Sequence, residues 1–289
     1  MDVTTAASAT GSGFESLRMR ASSIRRLIVQ LAGTATGCHL GGSLSVVDIL
    51  VALFGQVMKT QPPATFGGPC SKPCHDEHDH LVFSKGHAAA ALYAALAEFG
   101  FVDAQSLVRN YNADGSPFTG HANAQVAGVE FSTGSLGHGL GLGVGLALGR
   151  RLRDQANRVY VVCGDGEMGE GSNWEALQVA SQHGLANLTL IVDRNGGQND
   201  GETDSILSQR DLLQRLRAFG WQPLEVDGHD LQALVQALRT PAGSRPCAVI
   251  ANTQKGAGLP MLRGKHAHYA TFSATQLRRA LASLGEASS

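Results

Sequence analysis

The most specific chemistry in this sequence lies in an aspartate set between two glycines and an asparagine that follows it. Asp165 sits in GDGEMGEG, directly after the run RVYVVC, and Asn195 sits in DRNGGQNDG, directly after the run LTLIV. The two are separated by about 30 residues, the length of one βαβ unit. Both preceding runs have the composition of buried parallel strands, so each oxygen ligand falls at a strand's carboxyl end. In an open parallel sheet those ends form the ligand crevice, where a carboxylate and an amide can converge on one cation. Mg²⁺ takes one or two such protein oxygens and fills its octahedron with phosphate and water. Gly164 and Gly166 let the backbone approach a phosphate, and the helix N-terminus after them offers free N–H donors. A glycine-rich acidic turn at a helix start is the plainer reading, and dinucleotide sites use similar strings. The dinucleotide fingerprint follows a first strand, whereas this one comes late, and the paired Asp165 and Asn195 decide for a Mg²⁺–diphosphate site.

The elements that must position these residues follow from periodicity. Residues 14–36 predict a helix with Leu17, Ile24, Leu27, Ile28 and Leu31 on one face. GCHLGGSLS follows, and 46–58 predicts a second apolar helix with Ser45 or Ser43 as its N-cap. Residues 61–80 read as a loop, LVFSKGH as a short strand running into an alanine-rich helix over 88–99, and 110–131 as another loop. STGSLGHGLGLGVGLALG is a glycine-rich turn opening an apolar helix. Strands over 158–163 and 188–192 bracket a helix over 174–183. A helix over 210–219, a strand over 222–226, a helix over 231–238 and a strand over 247–252 complete the pattern. Strands alternating with helices predict an α/β fold, a parallel sheet flanked by helices. No internal repeat or linker divides the chain, so one domain is expected over 14–280, with small-residue tails at 1–13 and 281–289.

Composition narrows the function classes. The 289 residues carry 23 Lys plus Arg against 24 Asp plus Glu, a net charge of -1. That balance gives no basic face for nucleic acid or a membrane surface. Hydrophobic residues at 43% suffice for a substantial core, no apolar run reaches the roughly 20 residues of a membrane span, and no secretion signal opens the chain. Five scattered cysteines suit a reducing, cytoplasmic compartment. The run PCSKPCHDEHDH offers Cys70, Cys74, His75, His78 and His80 as zinc ligands. It lacks the second ligand pair at longer spacing that structural zinc uses, so a polar loop is the preferred reading.

The GDGEMGEGSNWEALQVA and VDRNGGQNDG segments resemble the thiamine-diphosphate motif of transketolases. GCHLGGSLSVVDIL, FSKGH, TGH, STGSLGHG, AFGW…VDGHD and ANTQKGAGLP…H follow in that family's order, over roughly residues 14–270. The resemblance implies the thiamine-diphosphate-binding fold and the cofactors thiamine diphosphate and Mg²⁺. It stops before the pyrimidine-binding half of a full transketolase, which implies the N-terminal subunit of a split enzyme. The implied partner is a C-terminal subunit carrying that domain and the activating glutamate, in an α2β2 assembly.

By the same resemblance Asp165, Asn195 and the carbonyl of Gly197 bind the metal. Ser135, Leu136 and Gly137 lie against the thiazolium and diphosphate, with Gly164, Gly166 and Glu167 in the diphosphate turn. His39 and His87 meet the cofactor or its reaction intermediate, His121 holds the donor's terminal hydroxyl, and His268 assists proton transfer, with His266 competing for that alignment. A lone histidine beside glycine is otherwise a turn residue bonded to a carbonyl. Three positions depart from the family pattern: His138 replaces a glutamine, and Gly197 and Asn199 alter the metal loop. Cys38 is read as a packing residue and Glu170 as a solvated carboxylate. The activity implied is transfer of a two-carbon ketol unit from a ketose-type donor to an aldehyde acceptor. Two alternatives are transfer to a carrier protein or a specialised acceptor, and a non-catalytic cofactor-binding regulatory subunit.

Overall fold

The structure is a computed structural model that describes residues 4–62, 78–240, 243–262 and 268–286. Helix α1 (Thr4–Ala32) leads into two short helices, α2 (Leu40–Ser45) and α3 (Val47–Ala52), and a π turn over Leu53–Val57. Strand β1 (His80–Phe83) feeds α4 (Ala89–Glu98) and α5 (Ala104–Asn110). A long glycine-containing connection then opens α6 (Gly139–Leu152), β2 (Val159–Gly164), α7 (Gly171–Gln182) and β3 (Leu188–Arg194). The chain continues through α8 (Thr203–Ile206), α9 (Leu212–Ala218), β4 (Gln222–Asp227), α10 (Leu231–Arg239), β5 (Cys247–Asn252) and α11 (Ala274–Glu286).

The five strands form one wholly parallel sheet in the order β1-β2-β3-β5-β4. Helices cover both faces, which explains why the central strands are continuous apolar runs without a polar alternate. Tyr160, Val162, Ile191 and Val249 point to the face packed by α1 to α4 and α10. Val159, Val161, Leu190, Val192 and Ile250 point to the face packed by α6, α7 and α9. The alternation of side chains along a strand thus divides one hydrophobic run between two cores.

Local boundaries differ from the periodicity reading where tertiary packing intervenes. α1 begins at Thr4, inside the stretch read as a tail, and α11 extends to Glu286 through the second such stretch. The helix expected from 46 begins instead at Leu40, and neither serine caps it. Ser43 donates to the His39 carbonyl at 2.6 Å, and Ser45 turns inward to Asp193 at 2.7 Å. Both hydroxyls are buried, so they bond within the fold instead of ending a helix. Cys70, Cys74 and His75 of the possible zinc run lie outside the described residues. In that run Asp79 accepts from the Lys59 and Arg158 amides, and His80 Nδ1 meets Glu130 at 2.6 Å.

Candidate active site

The site forms along the carboxyl edge of the sheet, where β1, β2, β3 and β5 end side by side. Asp165 follows β2 and caps a 3-10 turn over Gly166–Gly169. Its carboxylate accepts from its own neighbour Gly166 N at 3.0 Å and, across the strand gap, from Gly196 N at 2.9 Å. Asn195 follows β3; its Oδ1 accepts from Gly197 N at 3.1 Å, and its Nδ2 donates to Ser45 Oγ at 3.1 Å. The turns after β2 and β3 are therefore stitched together, and both expected oxygen ligands belong to that seam. A side chain on Gly197 would run into the Lys255 methylenes at 2.9 Å. That contact gives the glycine at this departing position a physical reason: Lys255 lies across the loop and donates to the Gln198 carbonyl at 3.0 Å.

Beneath this seam is a buried charge pair that pattern reading missed. Lys85, after β1, bonds Asp193 at the end of β3, and both side chains are at most 1% exposed. Lys85 also donates to the Gly42 carbonyl at 3.1 Å, and Ser45 and Thr253 both donate to Asp193. One carboxylate thus gathers α2, β1, β3 and the residue after β5. FSKGH and VDRN contain both partners, but no spacing rule couples residues 108 positions apart.

Glu167, expected against the cofactor, is turned inward. Its carboxylate accepts from Ser84 Oγ at 2.5 Å, Gly137 N at 3.0 Å and Gly164 N at 3.2 Å. It therefore clamps the Ser135–Gly137 turn onto the Gly-Asp-Gly turn and reaches the site through both. Ser135 and Leu136 on that turn are exposed, and so is Glu170 at the start of α7. His138 is exposed and folds back on the Leu136 carbonyl at 3.1 Å.

The four expected histidines come together although they derive from four separated segments. The His39 ring lies 5.7 Å from His87, 5.5 Å from His121 and 5.2 Å from His268, centroid to centroid. Tyr269 stands against His39 at 4.9 Å, with its hydroxyl donating to the Thr36 carbonyl at 2.6 Å. Burial, reinforced by the neighbouring His268 and His121, lowers the His39 pKa to about 4. Burial and the Lys85 charge push His87 to about 2. Both imidazoles are consequently neutral at pH 7, each able to donate at one nitrogen and accept at the other. His39 Nδ1 is buried with no hydrogen-bond partner among the described residues. His266 lies outside the described residues. Cys38 is fully buried, bridges Ala270 and has its thiol pushed up to about 12 by burial, as a packing residue should.

The residues present fit a metal-bound diphosphate. Burial, and then the charge of Asp193, raises the Asp165 pKa, so a cation there would relieve a carboxylate held in an unfavourable field. A Cβ built on buried Gly164 would meet nothing within 4 Å, and the same holds at Gly196. This open space beside packed backbone is what a phosphate group could fill. Lys255 faces Asp165 and Asp193, and burial lowers its pKa. The histidine cluster adjoins this edge: a Cβ on Gly42 would lie 3.6 Å from His87 Nε2 and 4.0 Å from Lys85 Nζ.

Known proteins share this organisation. The family model described as transketolase, thiamine diphosphate binding domain, matches residues 17–288. One of the two apulose-4-phosphate transketolase relatives, a subunit from Phocaeicola vulgatus, is 34% identical, with 94% of this chain and 95% of that protein covered. A 6-deoxy-6-sulfo-D-fructose transketolase subunit of a Clostridium species is 35% identical over 88% of this chain and 90% of its own. Human transketolase is 38% identical over 86% of this chain but only 38% of its own length. Among solved structures, Campylobacter jejuni transketolase superposes with a TM-score of 0.82 at 29% identity, covering 93% of this chain and 42% of that one. The chain thus spans about two fifths of those transketolases. Its sheet, its Gly-Asp-Gly turn and its histidines place it in the transketolase family, as the thiamine-diphosphate-binding domain.

Proposed function

We propose that this chain is the diphosphate-holding subunit of a two-component, cytoplasmic transketolase. It moves a two-carbon ketol unit from a ketose-type donor to an aldehyde acceptor. The observation that carries the reading is the gathering of His39, His87, His121 and His268 beside the Asp165–Asn195 seam. Asp165, Asn195 and the Gly197 carbonyl would hold Mg²⁺, and Gly164, Gly166 and Lys255 would border the diphosphate. Bound thiamine diphosphate supplies a stabilised carbanion, the chemistry that no side chain offers.

The residues of this chain do the positioning. Neutral His39 and His87 supply paired donor and acceptor sites for substrate hydroxyls, and the free Nδ1 of His39 is available for one of them. His121, exposed on its loop, is placed to meet the far end of a hydroxylated donor, and His268 to exchange a proton near its reacting carbon. The exposed Ser135–Leu136 turn would lie between the cofactor and a second subunit. Relatives that are themselves named as transketolase subunits, and that this chain matches over most of their length, support a partner supplying the pyrimidine-binding domain, in an α2β2 assembly. Buried free Cys38, Cys163 and Cys247 suit a reducing compartment.

The test is reconstitution with the partner encoded in the native source. The chain alone should be inactive, the mixture should transfer ketol units from sugar phosphates, and Asp165→Ala should abolish turnover. Full activity of the isolated chain refutes the two-component reading. Undiminished turnover in Asp165→Ala favours a regulatory role.

A further inference from the structure

The VDGHD segment belongs to the order of motifs along the chain, yet the site described so far gives it no task. It connects edge strand β4 to α10, and its Gly228 packs against the chain leaving β5. A Cβ there would collide with Thr253 Cγ2 and meet the Asn252 carbonyl at 3.1 Å, so the two loops approach as closely as only glycine allows. The next residue, His229, uses both ring nitrogens. Nδ1 lies 2.7 Å from Asp48 Oδ2, and Nε2 accepts the backbone N–H of Gln254 at 2.9 Å.

These partners fix the tautomer. Gln254 N–H can only donate, so Nε2 must carry a lone pair, and the proton must sit on Nδ1, facing Asp48. Asp48 is itself buried at 5% exposure and held by Arg25 at 2.5 Å, so its carboxylate is fixed in place. The imidazole thereby links an anchored carboxylate to one backbone amide. That amide belongs to the residue before Lys255, whose ammonium lies over the Asp165–Asn195 seam and bonds the Gln198 carbonyl. Gly256, just beyond, donates to the Gly41 carbonyl at 3.0 Å, so the loop is tied on the other side as well.

We propose that His229 is a positioning residue, the neutral imidazole that holds Gln254 so that Lys255 is presented to the diphosphate. It touches neither cofactor nor substrate and acts through one hydrogen bond to the loop. This inference rests on the diphosphate reading given above.

Two substitutions separate the ring nitrogens. Asparagine reaches about as far as Nδ1 and keeps the Asp48 contact; glutamine reaches about as far as Nε2 and keeps an acceptor for Gln254. Thiamine diphosphate with Mg²⁺ is titrated calorimetrically into the full chain and its variants. His229→Asn should weaken binding roughly tenfold, the scale on which losing a group that orients a ligand lowers affinity. His229→Gln should stay within about threefold of the parent. In a Lys255→Met background, His229→Asn should add no further loss, because the interaction it supports is gone. Equal binding by the asparagine variant, a larger loss with glutamine than with asparagine, or full additivity with Lys255→Met each overturn the proposal. A parent chain that binds neither thiamine diphosphate nor inorganic pyrophosphate would instead overturn the diphosphate reading on which it stands.

Discussion

Replacing Lys85 by methionine tests the buried charge pair under the active edge. The substitution keeps the length of the side chain and removes only the ammonium. Asp193, at 0% exposure, would then retain its bonds from Ser45 and Thr253 but no countercharge. Breaking a buried pair by removing one partner costs about 3–5 kcal/mol, because the remaining charge is left uncompensated. The entropy of unfolding is about 2.1 cal/mol/K per residue, or about 0.6 kcal/mol/K for a chain of this length, so the thermal midpoint should fall by about 5–8 °C. Circular dichroism melts of the chain without cofactor measure this directly, and the urea midpoint gives an independent value. The double variant Lys85→Met/Asp193→Asn removes both charges yet keeps an acceptor for the two hydroxyls. It should recover more than half of the loss. A single variant within about 1 kcal/mol of the parent refutes the reasoning, as does a double variant less stable than the single one.

Other outcomes follow from the packing and the electrostatics. Gly143→Ala should destabilise the chain by about 1–3 kcal/mol through overpacking, since its Cβ would collide with Val161 Cγ2. Gly145→Ala on the same helix meets nothing within 4 Å and should stabilise by up to about 1 kcal/mol; urea midpoints that move in the same direction would contradict the assignment of helix faces. Burial would raise the Asp48 carboxyl, but the His229 hydrogen bond and the Arg25 charge outweigh it and hold the pKa below its ordinary value of 3.8. The stability Asp48 contributes is therefore present above the unfolded pKa and lost as pH falls through the folded one. The gap between parent and Asp48→Asn, measured by urea unfolding at pH 7 and again below pH 3.8, should accordingly narrow in acid. The ring of His39 should titrate near pH 4 in heteronuclear NMR; a midpoint at the ordinary value of about 6.5 would mean the histidine cluster is open to water.

Much of this molecule is written in short-range pattern. The runs ending at Cys163 and Val192 are strands because only a strand buried on both faces carries five or six apolar residues without relief. The Gly-Asp-Gly turn and Asn195 are legible because the ligand crevice lies at strand ends, a property of the chain's local order. The histidines are legible through the order of their motifs. Their convergence within 5.2–5.7 Å of His39 belongs to the folded chain.

What sequence alone determined is the fold class, the placement of Asp165 and Asn195 at adjacent strand ends, and the family to which these motifs belong. Only the tertiary structure decided the strand order β1-β2-β3-β5-β4. It also turned Glu167 inward, paired Lys85 with Asp193 and laid Lys255 across Gly197. Helix and strand periodicity reports which side of a segment is buried, a matter of a few residues. The partner of a buried charge is set by which strand ends become neighbours, and residues 108 positions apart share no local signal. Burial then makes that partner obligatory, since neither charge could stay in the interior without it.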